Sequence, residues 1–446
     1  MKVFFASLGC DKNLSDSEHM IYALSQAGMG ITDLEEEADV IVVNTCCFIQ
    51  SALEESIETI LELAVQKETG VCKALLVTGC MAERYKEQIQ MEMPEVDGIV
   101  GTNSYDEIVT AVQSVLDGEK LIIAKPLVGL PREDSGRSLT TGGHYAYLKI
   151  ADGCDKRCSY CSIPLFKGKY RSVPKEQVMK EAQSLADNGV KELILVAQET
   201  TLYGKDLYGK KCLGELLDAL NQIDGIQWIR LLYCYPEEIN QDLIDAMKRN
   251  HKVLHYLDMP IQHACSRILG RMGRRTNKED LYRITSLLRE EIPDICLRTT
   301  VICGFPGETE EEHQELLEFM RDVKFDRLGA FPYSQEEGTV AYGFDHQLDD
   351  EVKNAYVESV MLTQQEIIFK KNDALVGQTM QVMIEGEIPE DHVFVGRTYR
   401  DTPNVDGLVF IQNCHRNFMS GDFAEVVITG TNDYDLIGEL KDEFTE

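Results

Sequence analysis

The chain has 446 residues, 43% of them hydrophobic, with 76 Asp and Glu against 44 Lys and Arg for a formal charge of −32. That length suggests roughly three domains at about 150 residues each. No apolar run approaches the ~20 residues that span a bilayer, and so acidic a surface disfavours broad binding to phosphate backbones while attracting a basic protein.

The opening "MKVFFASLGC" imitates a lipoprotein cleavage site. Its apolar stretch, residues 3–8, is shorter than the ~7–15 residues of a signal core, and Lys2 alone precedes it with a positive charge. The stretch is expected to be the first strand of a cytoplasmic protein. Fourteen cysteines in a long chain of that kind point to metal binding or catalysis rather than to disulfides. Seven of them, Cys72, Cys212, Cys234, Cys265, Cys296, Cys303 and Cys414, stand singly in apolar surroundings and read as small buried hydrophobes.

Residues 1–125 alternate strand and helix. "KVFFASL", "DVIVVNT" and "KALLVTG" are apolar strands; "DSEHMIYALSQAG", with Asp16 or Ser17 as cap and Gly28 as stop, "SALEESIETILELAVQ" and "DEIVTAVQSVL" have helical spacing. Continuous apolar strands between helices predict a parallel sheet covered on both faces. Cys10, Cys46 and Cys80 each fall just past the carboxyl end of a strand. Those ends share one rim in an open α/β sheet, where ligands bind, so the three are expected to converge. Cys47 is expected to point elsewhere.

Residues 126–144, which include "LPREDSGRSLTTGGH", read as a linker or ordered loop. From 145 to 375 a second βα series runs through "YAYLKIA", "KELILVAQ", "IQWIRLLY", "LHYLDMP", "CLRTTVICGF" and "RLGAFPYS". About six units are visible, fewer than the eight of a complete barrel, and a long helix near 349–371 closes the series. Residues 376–446 change to short alternating strands separated by Gly, Asp and Asn, the pattern of a small antiparallel barrel. This last part holds 4 Lys and Arg against 14 Asp and Glu.

The most informative stretch is "GCDKRCSYCSIPLFKGKYRS", where Cys154, Cys158 and Cys161 stand at C-x3-C-x2-C spacing. Ligation by thiolates suits zinc or an iron–sulfur cluster. A structural zinc would close its tetrahedron with a fourth Cys or His, and the next His is His251. Cys154 instead follows a strand, at the rim where barrel active sites lie. Three thiolates on a [4Fe-4S] cube leave one iron open. With Tyr160 before the third cysteine, the loop resembles the signature of the radical S-adenosylmethionine enzymes. That resemblance implies an open iron that chelates S-adenosylmethionine and donates the electron that cleaves it. It also implies roles for "AQET", where Gln198 or Glu199 would hold the methionyl amine, for Arg298 as a carboxylate partner, and for "GFPGE", where Gly304 and Gly307 would let backbone approach the adenosine. Lys167, Lys169, Arg171, Arg271, Arg274 and Arg275 read as solvated or helix-flanking.

A second triad needs a second reason. One open iron suffices to make a radical; another could hold sulfur, so the pair predicts C–S bond formation. Over its full length the chain resembles the methylthiotransferase family, in the branch that modifies a ribosomal protein: an N-terminal three-cysteine domain, a partial (βα)6-type radical S-adenosylmethionine barrel and a C-terminal TRAM barrel. The resemblance is carried by "SLGCDKNLSDSE", "NTCCFIQSALEESIETI", "ADGCDKRCSYCSIPLFKGKYRS", "YLDMPIQH", "YSQEEGT" and "GRTYRDTPNVDGLVFI". Cys47 departs from the pattern, where a small residue such as Gly is expected. The resemblance implies two [4Fe-4S] clusters, on Cys10, Cys46 and Cys80 and on Cys154, Cys158 and Cys161, with two S-adenosylmethionine per turnover. One would methylate sulfur at the N-terminal cluster; the other would give the radical that takes hydrogen from the β-carbon of an aspartate in small-subunit ribosomal protein number twelve. Its partners would be the basic loop of that protein and a reducing electron donor. Transfer-RNA adenosine is the alternative substrate, although a barrel that grips RNA should be basic. An iron–sulfur carrier without catalysis, and a zinc site at the N-terminal triad, are the readings from other classes.

Overall fold

The computed structural model describes residues 1–131, 136–412, 414 and 416–442. The middle of the expected linker, 132–135, and the last four residues lie outside the described residues.

The N-terminal part is a six-stranded parallel sheet in the order β2-β1-β3-β4-β5-β6. Its strands are β1 (Lys2–Ser7), β2 (Gly30–Thr32), β3 (Val40–Thr45), β4 (Ala74–Gly79), β5 (Gly98–Val100) and β6 (Leu121–Ile123). β3 and β4 are buried along their whole length, as expected for strands covered on both faces. The three short strands β2, β5 and β6 carry too few residues to leave a pattern in the sequence. The first helix is longer than expected: it spans Asp11–Gln26 with Cys10 at its cap position. Asp16 and Ser17 therefore do not cap it. Both are buried within the helix, where tertiary partners claim them: Asp16 pairs with Lys149, and the Ser17 hydroxyl bonds that of Ser7.

The expected linker is tied down where it is described. Arg137 pairs with Glu18 and Glu181 and donates to the carbonyl of Tyr147, and Thr140 N–H donates to Glu18.

The central sheet is parallel, in the order β14-β13-β12-β11-β10-β7. It comprises β7 (Tyr145–Lys149), β10 (Glu192–Val196), β11 (Trp228–Leu231), β12 (Val253–Asp258), β13 (Cys296–Cys303) and β14 (Arg327–Pro332), and the helix Asp350–Asp373 follows. A two-residue ladder, β8 (Ala151–Asp152) against β9 (Arg171–Ser172), closes the base of the three-cysteine loop. Helices cover the outer face, packing on Leu148, Leu193, Leu195, Ile229 and Leu231. The inner face, with Tyr145, Tyr147, Trp228 and Tyr256, packs on Met383, Tyr399 and Phe423 of the C-terminal part.

That C-terminal part is a closed barrel of β15 (Thr379–Ile388), β16 (Val393–Arg397), β17 (Val409–Gln412), β18 (Phe423–Asn432) and β19 (Asp435–Leu440). It is antiparallel apart from one pair, β17 with β19, which runs parallel. Two of its arginines, Arg397 and Arg400, face inward to the central sheet. Arg397 pairs with Glu192 at 2.7 Å, Arg400 with Asp326 at 3.1 Å, and Asp401 receives Arg327. Six of the seven single cysteines are buried as expected; Cys414 is partly exposed. Among the described residues no helix is long and apolar enough to cross a membrane.

Candidate functional site

Strand register sets the first triad. β1 pairs with β3 up to Ser7 opposite Asn44, and β3 with β4 up to Thr45 opposite Gly79. Cys46 and Cys80 are thus each one residue past the last paired position, and Cys10 follows the adjacent strand end. Asn13 joins the three loops. Its amide donates to the carbonyls of Leu8 at 3.1 Å and Thr45 at 2.9 Å, while its carbonyl oxygen lies 3.7 Å from Cys80 Sγ. Ser56 clamps Cys46 from behind, accepting from its N–H at 3.0 Å and donating to its carbonyl at 2.8 Å. Gly9 holds φ +87°, and a Cβ there would fall 2.7 Å from Cys46 Cβ, so this close approach excludes any side chain. Cys10 is exposed, whereas Cys46 and Cys80 are buried, and burial pushes both of their thiols up. Cys47 departs from the group: it packs in the apolar core beneath the sheet, burial pushes its thiol up to about 12, and its carbonyl accepts from Arg84 at 3.2 Å.

The second triad sits on the loop between β8 and β9. Gly153 has φ +77°, and a Cβ there would lie 2.1 Å from the carbonyl oxygen of Lys169. The Cys154 N–H donates to Gly168 O at 3.1 Å, that of Cys161 to Cys158 O at 3.2 Å, and that of Lys156 to Cys154 Sγ at 3.4 Å. Ser159 ties the loop outward, its N–H to Met272 O and its hydroxyl to Arg271 O. Tyr235 brings its hydroxyl to 3.7 Å from Cys158 Sγ. Tyr160 leans on the apolar cluster of Cys265, Met272, Phe305 and Tyr333. Burial raises Cys154 to about 12; bound metal would have to displace that proton, as thiolate ligation does.

Around this loop, Gln198 donates to Asp152 at 3.0 Å and leaves its carbonyl oxygen buried without a hydrogen-bond partner. Glu199 is fully buried, accepts from Thr201 through one oxygen, and has no hydrogen-bond partner on the other. Burial raises its carboxyl to about 7, against the hydrogen bond from Thr201 and the Lys156 cation. Arg298 is engaged by two carboxylates of the chain itself, Asp258 at 2.9 Å and Asp406 at 3.5 Å. In "GFPGE", Glu308 accepts from the N–H groups of Gly304 and Phe305 at 2.7 and 2.9 Å. A Cβ on Gly304 would meet Lys353 at 2.4 Å, and one on Gly307 would approach Arg271 at 3.6 Å. Gly304 is thus required by close packing against Lys353, and Gly307 by its φ of +76°.

The two triads are neighbours. Ser162, next to Cys161, donates to Phe48 O, two residues past Cys46, at 3.4 Å. Tyr233 takes φ +60° at the end of β11, donates its hydroxyl to Asp11 at 3.0 Å and lies 3.3 Å beneath the Lys12 ammonium; Tyr235, two residues on, reaches Cys158. The expectation that the basic residues are solvated fails for three of them. Lys167, Arg171 and Arg274 are buried, because each meets acidic or aromatic partners that are remote in sequence: Asp16 and Asp152 for Lys167, Asp152 for Arg171, Glu237 and the Tyr235 ring for Arg274. Sequence reading missed Asn13, Ser56, Asp152, Tyr233 and Tyr235; of these only "LLYCYPEE", with two tyrosines just past a strand end, offered a local signal.

A partial parallel barrel with three thiols on the loop after its first strand defines a radical S-adenosylmethionine enzyme, and family models agree. Residues 2–101 match the Uncharacterized protein family UPF0004, residues 148–320 the Radical SAM superfamily, and residues 376–440 the TRAM domain. The fold is shared with the radical S-adenosylmethionine methyltransferase TsrM from Kitasatospora setae, solved with cobalamin and a [4Fe-4S] cluster (TM-score 0.55, 14% identity, 74% of this chain and 72% of that one). It is shared also with the cobalamin-dependent enzyme OxsB (TM-score 0.54, 13% identity, 80% and 56%). Full-length relatives are closer. The ribosomal protein uS12 methylthiotransferase RimO of Lachnoclostridium phytofermentans is 55% identical over 438 residues, 98% of this chain and 99% of that protein. The RimO of Pelotomaculum thermopropionicum is 50% identical over 440 residues, 98% and 99%. The chain belongs to the RimO-like methylthiotransferase family, and is a transferase of sulfur-containing groups whose family uses S-adenosylmethionine and a [4Fe-4S] cluster.

Proposed function

We propose that this enzyme methylthiolates the β-carbon of an aspartate in ribosomal protein uS12, in the cytoplasm, with two S-adenosylmethionine and two [4Fe-4S] clusters per chain. Cys154, Cys158 and Cys161 would hold the cluster of the radical barrel, and Cys10, Cys46 and Cys80 the second. The observation that carries this reading is the meeting of two thiol triads at one junction, through Ser162 and Phe48 on one side and Tyr233 to Tyr235 on the other. The donor set fits: each triad is all sulfur, lies at a strand-end rim and is held by backbone or amide contacts. Bound there, such a cluster supplies the electron for reductive cleavage of S-adenosylmethionine.

The chain's own residues do the rest. Glu199 and Gln198 each present a buried oxygen without a hydrogen-bond partner, that of Glu199 lying 3.9 Å from the Lys156 ammonium, and would hold the methionyl amine. Tyr160, packed on its cluster, would shield the loop from water. Arg298, held by Asp258 and Asp406, would reach a carboxylate only by giving up one of them. The chain divides on this reading into 1–125, a connection over 126–144, the barrel 145–375 and the TRAM barrel 376–446. The TRAM barrel turns two of its four basic residues, Arg397 and Arg400, inward together with Asp401 and Asp406, so its outer face keeps the acidic balance of its composition. That favours a basic protein loop over RNA. A reducing protein would deliver electrons.

Intact-mass measurement of uS12 from cells with and without the gene tests the reading: a methylthio increment that disappears with the gene is the expected result. A mass change on transfer-RNA adenosine, with uS12 unaltered, would move the substrate to RNA.

A further inference from the structure

Tyr233 stands where the parts of the site meet. It is the second residue past the end of β11 and holds φ +60°, a backbone region that an aromatic residue seldom occupies and that persists only where the surroundings impose it. Each of its bonding groups goes to a neighbour of a candidate contact. Its N–H donates to one oxygen of Asp258 at 2.9 Å, and the other oxygen of Asp258 receives Arg298 at 2.9 Å. Its carbonyl accepts from the N–H of Thr200 at 3.0 Å, the residue after Glu199. Its hydroxyl donates to Asp11 at 3.0 Å, the residue after Cys10, and its ring lies 3.3 Å beneath the ammonium of Lys12, which pairs with Asp11 at 3.1 Å. The next residue, Cys234, is wholly buried and donates its N–H to the carbonyl of Asp258 at 2.9 Å. That turns Tyr235 back toward Cys158, with its hydroxyl 3.7 Å from Sγ. One strained residue of the barrel therefore reaches the Cys10 loop through its side chain and the Cys158 loop through the backbone that follows it.

We propose that Tyr233 is the positioning residue that fixes the two triads relative to one another, so that a single substrate carbon can face both. The proposal rests on the reading that each triad holds a cluster and that the substrate lies between them. The bond from the Tyr233 hydroxyl to Asp11 ties the barrel to the N-terminal part beside Cys10. Asp258 and Thr200 brace the same residue from behind, through its N–H and its carbonyl. A reaction between two separately held centres is sensitive to placement, and a shift of about 1 Å can cost on the order of 100-fold. Loss of the hydroxyl should leave each triad intact and put the two out of register.

The test compares wild type with Tyr233→Phe, which removes the hydroxyl and keeps the ring, in the full-length reconstituted enzyme with uS12 as substrate. Three quantities are read: iron per chain, the electron paramagnetic resonance line shape with both clusters reduced, and 5′-deoxyadenosine formed per methylthiolated uS12. Tyr233→Phe should keep its iron, alter the magnetic interaction between the clusters, and raise the product ratio about tenfold or more. Asp11→Ala should also raise the ratio, and adding Tyr233→Phe to it should change nothing further, since both remove the same bond. An iron-replete Tyr233→Phe with the wild-type ratio and line shape overturns the proposal, as do additive effects in the double variant. If Tyr233→Phe does not load iron, Asp11→Ala alone decides by the same readouts. Loss of iron in both assigns the bond to folding and also overturns it. A wild-type enzyme that shows one cluster only, or leaves uS12 unmodified, defeats the two-cluster reading itself and this proposal with it.

Discussion

Two cysteines separate the proposed roles most cleanly. Cys154→Ala should abolish 5′-deoxyadenosine formation. Cys46→Ala should leave that cleavage largely intact and stop sulfur insertion, read as 5′-deoxyadenosine without methylthiolated uS12. Glu199 makes a pH prediction. Burial lifts its folded-state value to about 7, so the neutral acid prevails at pH 6 and the carboxylate at pH 8. If the carboxylate receives the methionyl amine, S-adenosylmethionine should bind about tenfold more weakly at pH 6 than at pH 8. Glu199→Gln should bind weakly and flatten that profile, measured by equilibrium dialysis. At this scale Cys154, Cys158 and Cys161 stood out by their spacing, and Cys10, Cys46 and Cys80 by their places just past three strand ends. Lys167 did not: its partner Asp16 is 151 residues away, and nothing local distinguishes a buried lysine from a solvated one.

Among elements, the three-cysteine loop depends on its entry. Gly153→Ala would place a methyl 2.1 Å from Lys169 O at φ +77°, in a conformation where side chains are penalised. The loop should fail to close while the N-terminal triad keeps its metal, so iron content should fall from about eight to about four per chain, as two four-iron clusters require. Sequence periodicity located the long strands and helices, since continuous burial enforces apolar runs. It misplaced the start of the first helix because Asp16 and Ser17, good cap residues, are recruited instead by Lys149, Ser7 and Asn44. A tertiary contact outbid a local preference there. The same holds for Tyr233, whose positive φ is kept by Asp11, Lys12 and Asp258.

For the whole molecule, charge and its placement decide two outcomes. An acidic outer barrel should make uS12 recognition sensitive to salt. At 0.15 M such charges act over only about 8 Å, so raising the salt should increase KM for uS12 with little change in kcat, checked by steady-state kinetics on the purified substrate. Inside, Asp401 is buried against Arg327. Asp401→Asn leaves that guanidinium without its counter-charge and should cost on the order of 3 kcal/mol or more, visible as a lower denaturation midpoint. Composition signalled the acidic barrel. It could not show that Arg397 and Arg400 point into the central sheet, because orientation belongs to the docked structure.

That docking constrains how such enzymes could exchange recognition modules. Arg397 and Arg400 act as plugs whose sockets, Glu192 and Asp326, belong to another part of the chain. A barrel transplanted from a nucleic-acid-modifying cousin would bring its own plugs. Unless the host's sockets were re-cut to match, the graft would strand carboxylates in the interior, so a change of client would have to proceed through paired substitutions on both sides of this seam.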